Sequence, residues 1–234
     1  MGILTLHEFG HYFAARYYKV PATLPYFLPA PNFFGTFGAF IKMEGLIPNR
    51  KALFDIGIMG PAMGLVLAIP ATVIGLYLSK VVDMSTLPVN STLPLGDSLL
   101  FNALAYLIHG KLQAGYDIML HPLGFAGWVG LFVTALNLIP IGQLDGGHIV
   151  YALLKNKSTR LYQVLFMIMV ILVIYFKMLQ WLVFLLMIFF LVRLKHPPTL
   201  NDQEPLGKMR VAFGVLALLF LLLAFPPVLL KLPN

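Results

Sequence analysis

LYQVLFMIMVILVIYFKMLQWLVFLLMIFFLVR, residues 161–193, is apolar along most of its length and carries Lys177 at its centre. Its reading decides how often the chain crosses a bilayer. As one tilted helix it would bury Lys177 at mid-membrane, at about 2.5–3.5 kcal/mol on insertion scales. As two helices turning at Lys177, each half has about 15 residues, or ~22 Å, and the lysine reaches an interface. The remaining charges arbitrate. With a turn at Lys177, one side of the membrane collects Arg16, Lys19, Lys42, Arg50, Lys51, Lys155, Lys157, Arg160, Arg193, Lys195, Lys208 and Arg210. The other side collects Lys80, Lys111, Lys177 and Lys231, a split of 12 against 4. The single-helix reading gives 9 against 6 and leaves Lys177 inside. Cytoplasmic loops are the basic ones, so the turn is favoured, and with it six spans and a cytoplasmic first loop.

Composition agrees with a lipid-embedded chain. The 234 residues are 59% hydrophobic and 11% charged, with mean hydropathy +0.87; soluble domains are about one quarter charged. The net charge of +7 is accounted for by cytoplasmic loops, so no nucleic-acid partner is expected. The chain has no cysteine, which excludes disulfides and thiolate metal sites. A metal would need His, Asp or Glu. The N-terminus lacks the basic leader and small-residue site of a cleavable signal peptide.

Working outward from residues 161–193, the sequence predicts a first helix over residues 1–19, closed by Arg16, Lys19 and Pro21. Residues 21–49 are Pro-rich and hold PNFFGTFGAFIKMEG, residues 31–45. There Phe37, Ala39 and Ile41 alternate with Gly38, Phe40 and Lys42, the pattern of a short β-hairpin or re-entrant strand pair. A second span is expected over residues 55–79, with Gly57, Gly60 and Gly64 letting helices approach closely. In the mixed loop 80–121, residues 98–112 form an amphipathic interfacial helix. Residues 122–155 form a third, interrupted span, and residues 211–230 a last one. The expected fold is an all-α polytopic membrane protein of about six helices. It forms one membrane-embedded domain over 1–234, with a core at about 1–155 and added helices at about 161–234.

HEFGH, residues 7–11, fits the HExxH pattern inside an apolar helix. On a helix, His7 and His11 face the same way. Two imidazoles at that spacing can grip one zinc ion, with the intervening glutamate placed to take a proton from water. A catalytic zinc needs a third protein ligand and an open position. Apart from Glu8, the only acidic residue inside a span is Asp145, in NLIPIGQLDGGH, residues 137–148. His11 lies about nine residues before the basic end of its helix, ~13 Å, and Asp145 about ten before Lys155, ~15 Å. The two therefore share a depth nearer the cytoplasmic face. Pro140, Gly142, Gly146 and Gly147 break this span at Asp145, and broken backbone in lipid belongs where protein or a watery cavity surrounds it. Two readings stand for Asp145, a third metal ligand or a helix N-cap.

HEFGH in one span and NLIPIGQLDGGH in a later one resemble the site-2 protease family of intramembrane zinc metalloproteases. The resemblance extends to GPAMG, residues 60–64, to residues 121–152, and to HPPTLNDQEPL, residues 196–206, which is similar to prokaryotic members. The pairing of HExxH with LDG in that order carries the resemblance. It implies that His7, His11 and Asp145 bind one zinc and that Glu8 is the catalytic base. It implies cleavage of a substrate's transmembrane helix, often after a first cut by another protease, in a prokaryotic inner membrane. Asn137 matches a family asparagine that helps position substrate or the developing oxyanion. Six residues precede His7, fewer than in many members, and no PDZ or CBS domain is present in this chain.

Two readings also stand for the 33–43 run: a strand that pairs with an unwound substrate, or a packed cytoplasmic loop. His148 is either a partner of the metal site or a packed structural residue. His109 and His121 are expected to be solvated, His196 to sit in a Pro-rich turn, and Trp128 and Trp181 to anchor at interfaces. Rival classes fit less well. HExxH membrane proteases of the heat-shock and prenyl-processing type would need a later glutamate, and Glu44 and Glu204 lie outside the spans. A metal carrier would spread ligands across the membrane. An inactive homologue would lack Glu8 or a ligand.

Overall fold

The computed structural model describes residues 1–29, 36–86, 95–178, 180–192, 194 and 196–227. Helix α1 (Gly2–Tyr17) ends where Lys19 takes φ 57° ahead of Pro21. Strands β1 (Tyr26–Pro29) and β2 (Thr36–Phe40) pair antiparallel, Tyr26 opposite Phe40. A bulge follows Leu28, and on β2 Gly38 takes φ 120° there, backbone that favours glycine. The pairing extends outward through Thr23 and Lys42 to an Ala22–Met43 bridge. This is the expected hairpin; residues 31–35 of its aromatic run lie outside the described residues, as do Arg193, Lys195, Lys231 and residues 228–230 of the last span.

Helix α2 (Arg50–Tyr77) is followed by β3 (Lys80–Asp83), α3 (Leu99–His109) and β4 (Tyr116–Met119). Ser98 caps α3 by accepting from the Phe101 amide at 3.2 Å, and Gly110 ends it at φ 71°. Helix α4 (Pro122–Asn137) is separated by the Pro140–Gly142 break from α5 (Asp145–Leu154), and a short 3₁₀ turn leads into α6 (Ser158–Tyr175). The long apolar stretch is indeed divided. α6 stops at Tyr175, Lys177 is exposed with φ 53°, and α7 (Gln180–Met187) begins anew before a π-helical segment, Ile188–Val192. The last helix is α8 (Lys208–Ala224). Among the described residues, two helical runs, Arg50–Tyr77 and Asp145–Tyr175, are long and apolar enough to cross a membrane.

Two compact units form. One comprises Met1–Gly64 with Asn137–Leu219, the other Leu65–Leu136 with Phe220–Asn234. In the first, Ala14, Ala15, Val20 and Ile56 are buried together. In the second, Leu76, Phe101 and Trp128 make the core. There α2 and α4 touch backbone to backbone: a Cβ on Gly75 would fall 2.0 Å from the Gly124 nitrogen. Two expectations are corrected. The chain is mostly helical rather than all-α, because β3 and β4 form a second antiparallel sheet within the 80–121 loop. Trp128 and Trp181 are buried, not interfacial anchors; the Trp128 indole N–H donates to the Gly96 carbonyl at 3.0 Å, which removes its need for an interfacial partner.

Candidate metal centre

The site lies entirely in the first unit. Helix α1 presents His7 and His11 one turn apart, and α2 is close enough to hold them because it carries glycine where they touch. A Cβ on Gly60 would sit 2.0 Å from His11 Nε2, and one on Gly64 3.3 Å from the His7 ring. On α1 the same device recurs: a Cβ on Gly10 would meet the Met59 carbonyl at 2.3 Å. Asp145 arrives from the far side of the broken span. The break is tight because Gly146 and Gly147 face the Leu138 and Gly142 carbonyls, 2.0 Å and 2.3 Å from where a Cβ would be.

Three side chains converge there. His7 Nε2 is 3.1 Å from His11 Nε2 and 3.2 Å from Asp145 Oδ2, and His11 Nε2 is 3.3 Å from Asp145 Oδ1. All three are nearly sealed from solvent, at 3%, 8% and 9% exposure. Burying a carboxylate this deeply costs several kcal/mol unless something compensates it. Hydrogen bonding does not fully do so: Asp145 Oδ2 is close to His7 yet has no hydrogen-bond partner with acceptable geometry among the described residues. Nor does Asp145 cap its helix; Leu144 is the N-cap residue and no side-chain cap bond forms.

A metal ion fits these observations. Tetrahedral bonds of about 2.0–2.1 Å set neighbouring ligand atoms ~3.3 Å apart, close to the spacings observed. His11 Nδ1 donates to the Ile56 carbonyl at 2.7 Å, so in the neutral ring Nε2 keeps its lone pair directed at the site, the usual support of a ligating histidine. His7, His11 and Asp145 are the one group of metal-binding character found among the described residues.

Glu8 is 7% exposed beside this group, on α1, the helix against which β2 of the hairpin packs. Asn137, the last residue of α4, brings its side-chain amide nitrogen within 3.2 Å of His7 Nε2. The five residues singled out from sequence are thus brought together. His109 and His121 are not part of the site; His109 bonds the Leu76 carbonyl and His121 the Leu123 amide. The sequence reading gave His196 no role beyond a Pro-rich turn; the structure buries it against His148. Its one local signal was a histidine ahead of two prolines.

The sequence model of peptidase family M50 matches residues 1–179. The chain belongs to peptidase family M50, the site-2 protease family. Probable zinc metalloprotease EGY1, chloroplastic, of Arabidopsis thaliana is 34% identical over 233 residues, 97% of this chain and 42% of the relative. Probable zinc metalloprotease EGY2, chloroplastic, of Oryza sativa subsp. indica is 31% identical over 228 residues, 96% and 41% respectively. The chain therefore spans less than half the length of these M50 relatives. Their names place them in chloroplasts, so they lend no support to the expected prokaryotic inner membrane. No solved structure gives a significant match. Zinc is the metal named in the M50 relatives, and two imidazoles with one carboxylate suit it.

Proposed function

We propose that this M50 chain is an intramembrane zinc metalloendopeptidase that hydrolyses peptide bonds within or near the transmembrane helix of a membrane-protein substrate. The observation that carries the reading is the convergence of His7, His11 and Asp145, drawn from two motifs more than 130 residues apart, with Glu8 beside them. A zinc ion held there supplies Lewis-acid chemistry, acidifying water and polarising a carbonyl. Glu8 takes the proton of the attacking water and later gives it to the leaving amine. The Asn137 amide donates a hydrogen bond to the oxygen on which charge develops. His7, His11 and Asp145 hold one another's positions, and the buried surroundings limit stray water.

A helical substrate hides its carbonyls in hydrogen bonds, so the segment cut must unwind, and Gly, Pro or Asn near the cut favours that. The β1–β2 hairpin is our choice for receiving the unwound strand; β2 packs against α1, the helix that carries Glu8, which favours this over a packed loop. We read the chain as six spans, α1, α2, α4 with α5, α6, α7 and α8, with the site nearer the cytoplasmic face. Contacts support this. Residues 200–204 bond to residues 47–51, and Arg50 bonds to Ala152 and Leu153. Two crossings by residues 158–195 return the chain to the side where these three segments meet. Glu8→Gln tests the chemistry: zinc is retained, and cleavage of a reconstituted transmembrane-helix peptide falls by at least about 100-fold. Undiminished cleavage would remove Glu8 from the reaction.

A further inference from the structure

Residues 196–204 take no part in the chemistry above, yet they hold a buried histidine. His196 is 7% exposed. Its Nδ1 donates to the Pro197 carbonyl at 2.5 Å, which in the neutral ring leaves Nε2 as an acceptor. That nitrogen lies 2.6 Å from His148 Nδ1, so His148 is the donor. The Tyr151 ring stacks on His196 with centroids 4.5 Å apart. The Tyr151 hydroxyl donates to Asp202 Oδ2 at 2.6 Å, and Thr199 to the other carboxylate oxygen at 2.7 Å. His148 and Tyr151 follow Asp145 by three and six residues, within the first two turns of α5.

The same segment is fastened to the start of α2. The Leu200 and Asn201 amides donate to the Ile47 and Pro48 carbonyls, both at 3.0 Å, and Lys51 pairs with Glu204 at 2.5 Å. Buried Arg50 bonds the Ala152 and Leu153 carbonyls at the end of α5 and the Glu204 carbonyl. Further along α2, Ile56 orients His11, and Gly57 lies against His148, 2.9 Å from its Cβ to where a Cβ would be. One segment thus grips both the helix that orients His11 and the helix that carries Asp145.

We propose that residues 196–204 form a strap that positions Asp145 against His7 and His11, acting through the His196–His148 hydrogen bond. Its purpose rests on the metalloprotease reading, but its hold on α5 is measurable without metal. His196→Phe keeps the ring that stacks on Tyr151 and removes the acceptor; His196→Gln returns an acceptor. In metal-free protein, amide exchange over residues 146–149 is expected to speed up about tenfold in His196→Phe, the worth of one such bond, and to recover in His196→Gln. Exchange in α3 stays at the wild-type rate. Asp202→Asn, a milder loosening, shifts α5 in the same direction. In cobalt-loaded protein, His196→Phe alters the visible spectrum and weakens binding about tenfold. Wild type that binds no metal, while α5 still loosens in His196→Phe, removes the protease reading and leaves the strap. Wild type that binds metal, with His196→Phe unchanged in both readouts, overturns the strap alone. Uniform acceleration across the chain with Asp202→Asn silent also overturns it, as a general loss of stability.

Discussion

At the residue scale, Gly60 shows how a position without functional atoms can govern a site. Its missing Cβ is the space that His11 Nε2 occupies, and His11 cannot retreat without giving up the Ile56 carbonyl. Gly60→Ala is therefore expected to weaken zinc binding at least about tenfold, read by competition with a chelator. Gly64→Ala, whose Cβ would stand 3.3 Å from His7, should change it by no more than a few-fold. Equal effects of the two would mean that helix spacing, not the His11 ring, is what these glycines protect. The members of the His7, His11 and Asp145 group could be singled out from the sequence, the histidines by their helical spacing in HEFGH and Asp145 by the pairing of LDG with that motif. The glycines were legible only as small residues in a span. Which imidazole each one faces depends on how two helices cross, and no local pattern records that.

At the scale of elements, the breaks were the clearest signals. Pro140 and Gly142 announced the gap between α4 and α5, and Lys177 the end of α6, because an unpaired charge or a missing amide interrupts an apolar helix wherever it occurs. The β3–β4 sheet was not legible: its strands are four residues each and lie more than 30 residues apart. The strap was illegible for the same reason, since His148 and His196 are 48 residues apart. Acid should loosen the strap. Burial pushes the His196 imidazole below its ordinary value. Burial pushes the Asp202 carboxyl up, but the hydrogen bonds from Thr199 and Tyr151 outweigh it and hold it below the usual carboxylate range. Both folded values are depressed, so both contributions are complete above the unfolded values and are lost as pH falls through the folded ones. Protection of residues 196–204 from proteolysis should be greatest above about pH 6.5, decline below it through His196, and decline again below about pH 4 through Asp202. Protection that rose on acidification would contradict this assignment.

At the scale of the whole molecule, the account joins two claims, a topology and a metal centre. The absence of cysteine makes the first accessible to single-cysteine labelling. Lys177→Cys should react with a membrane-impermeant reagent from the same side as Lys111→Cys and the side opposite Lys157→Cys. Labelling of Lys177→Cys together with Lys157→Cys would contradict the six-span reading. The central claim is that HEFGH and the distant LDG motif hold one ion between them, since Gly60 and Gly64 of α2 and the break before Asp145 lie against that meeting point. It is tested most directly by the zinc content of the purified chain beside that of Asp145→Ala. The account predicts about one zinc per chain in the wild type and a marked loss in the variant. Zinc retained in full by Asp145→Ala, or none in the wild type after loading, would contradict it.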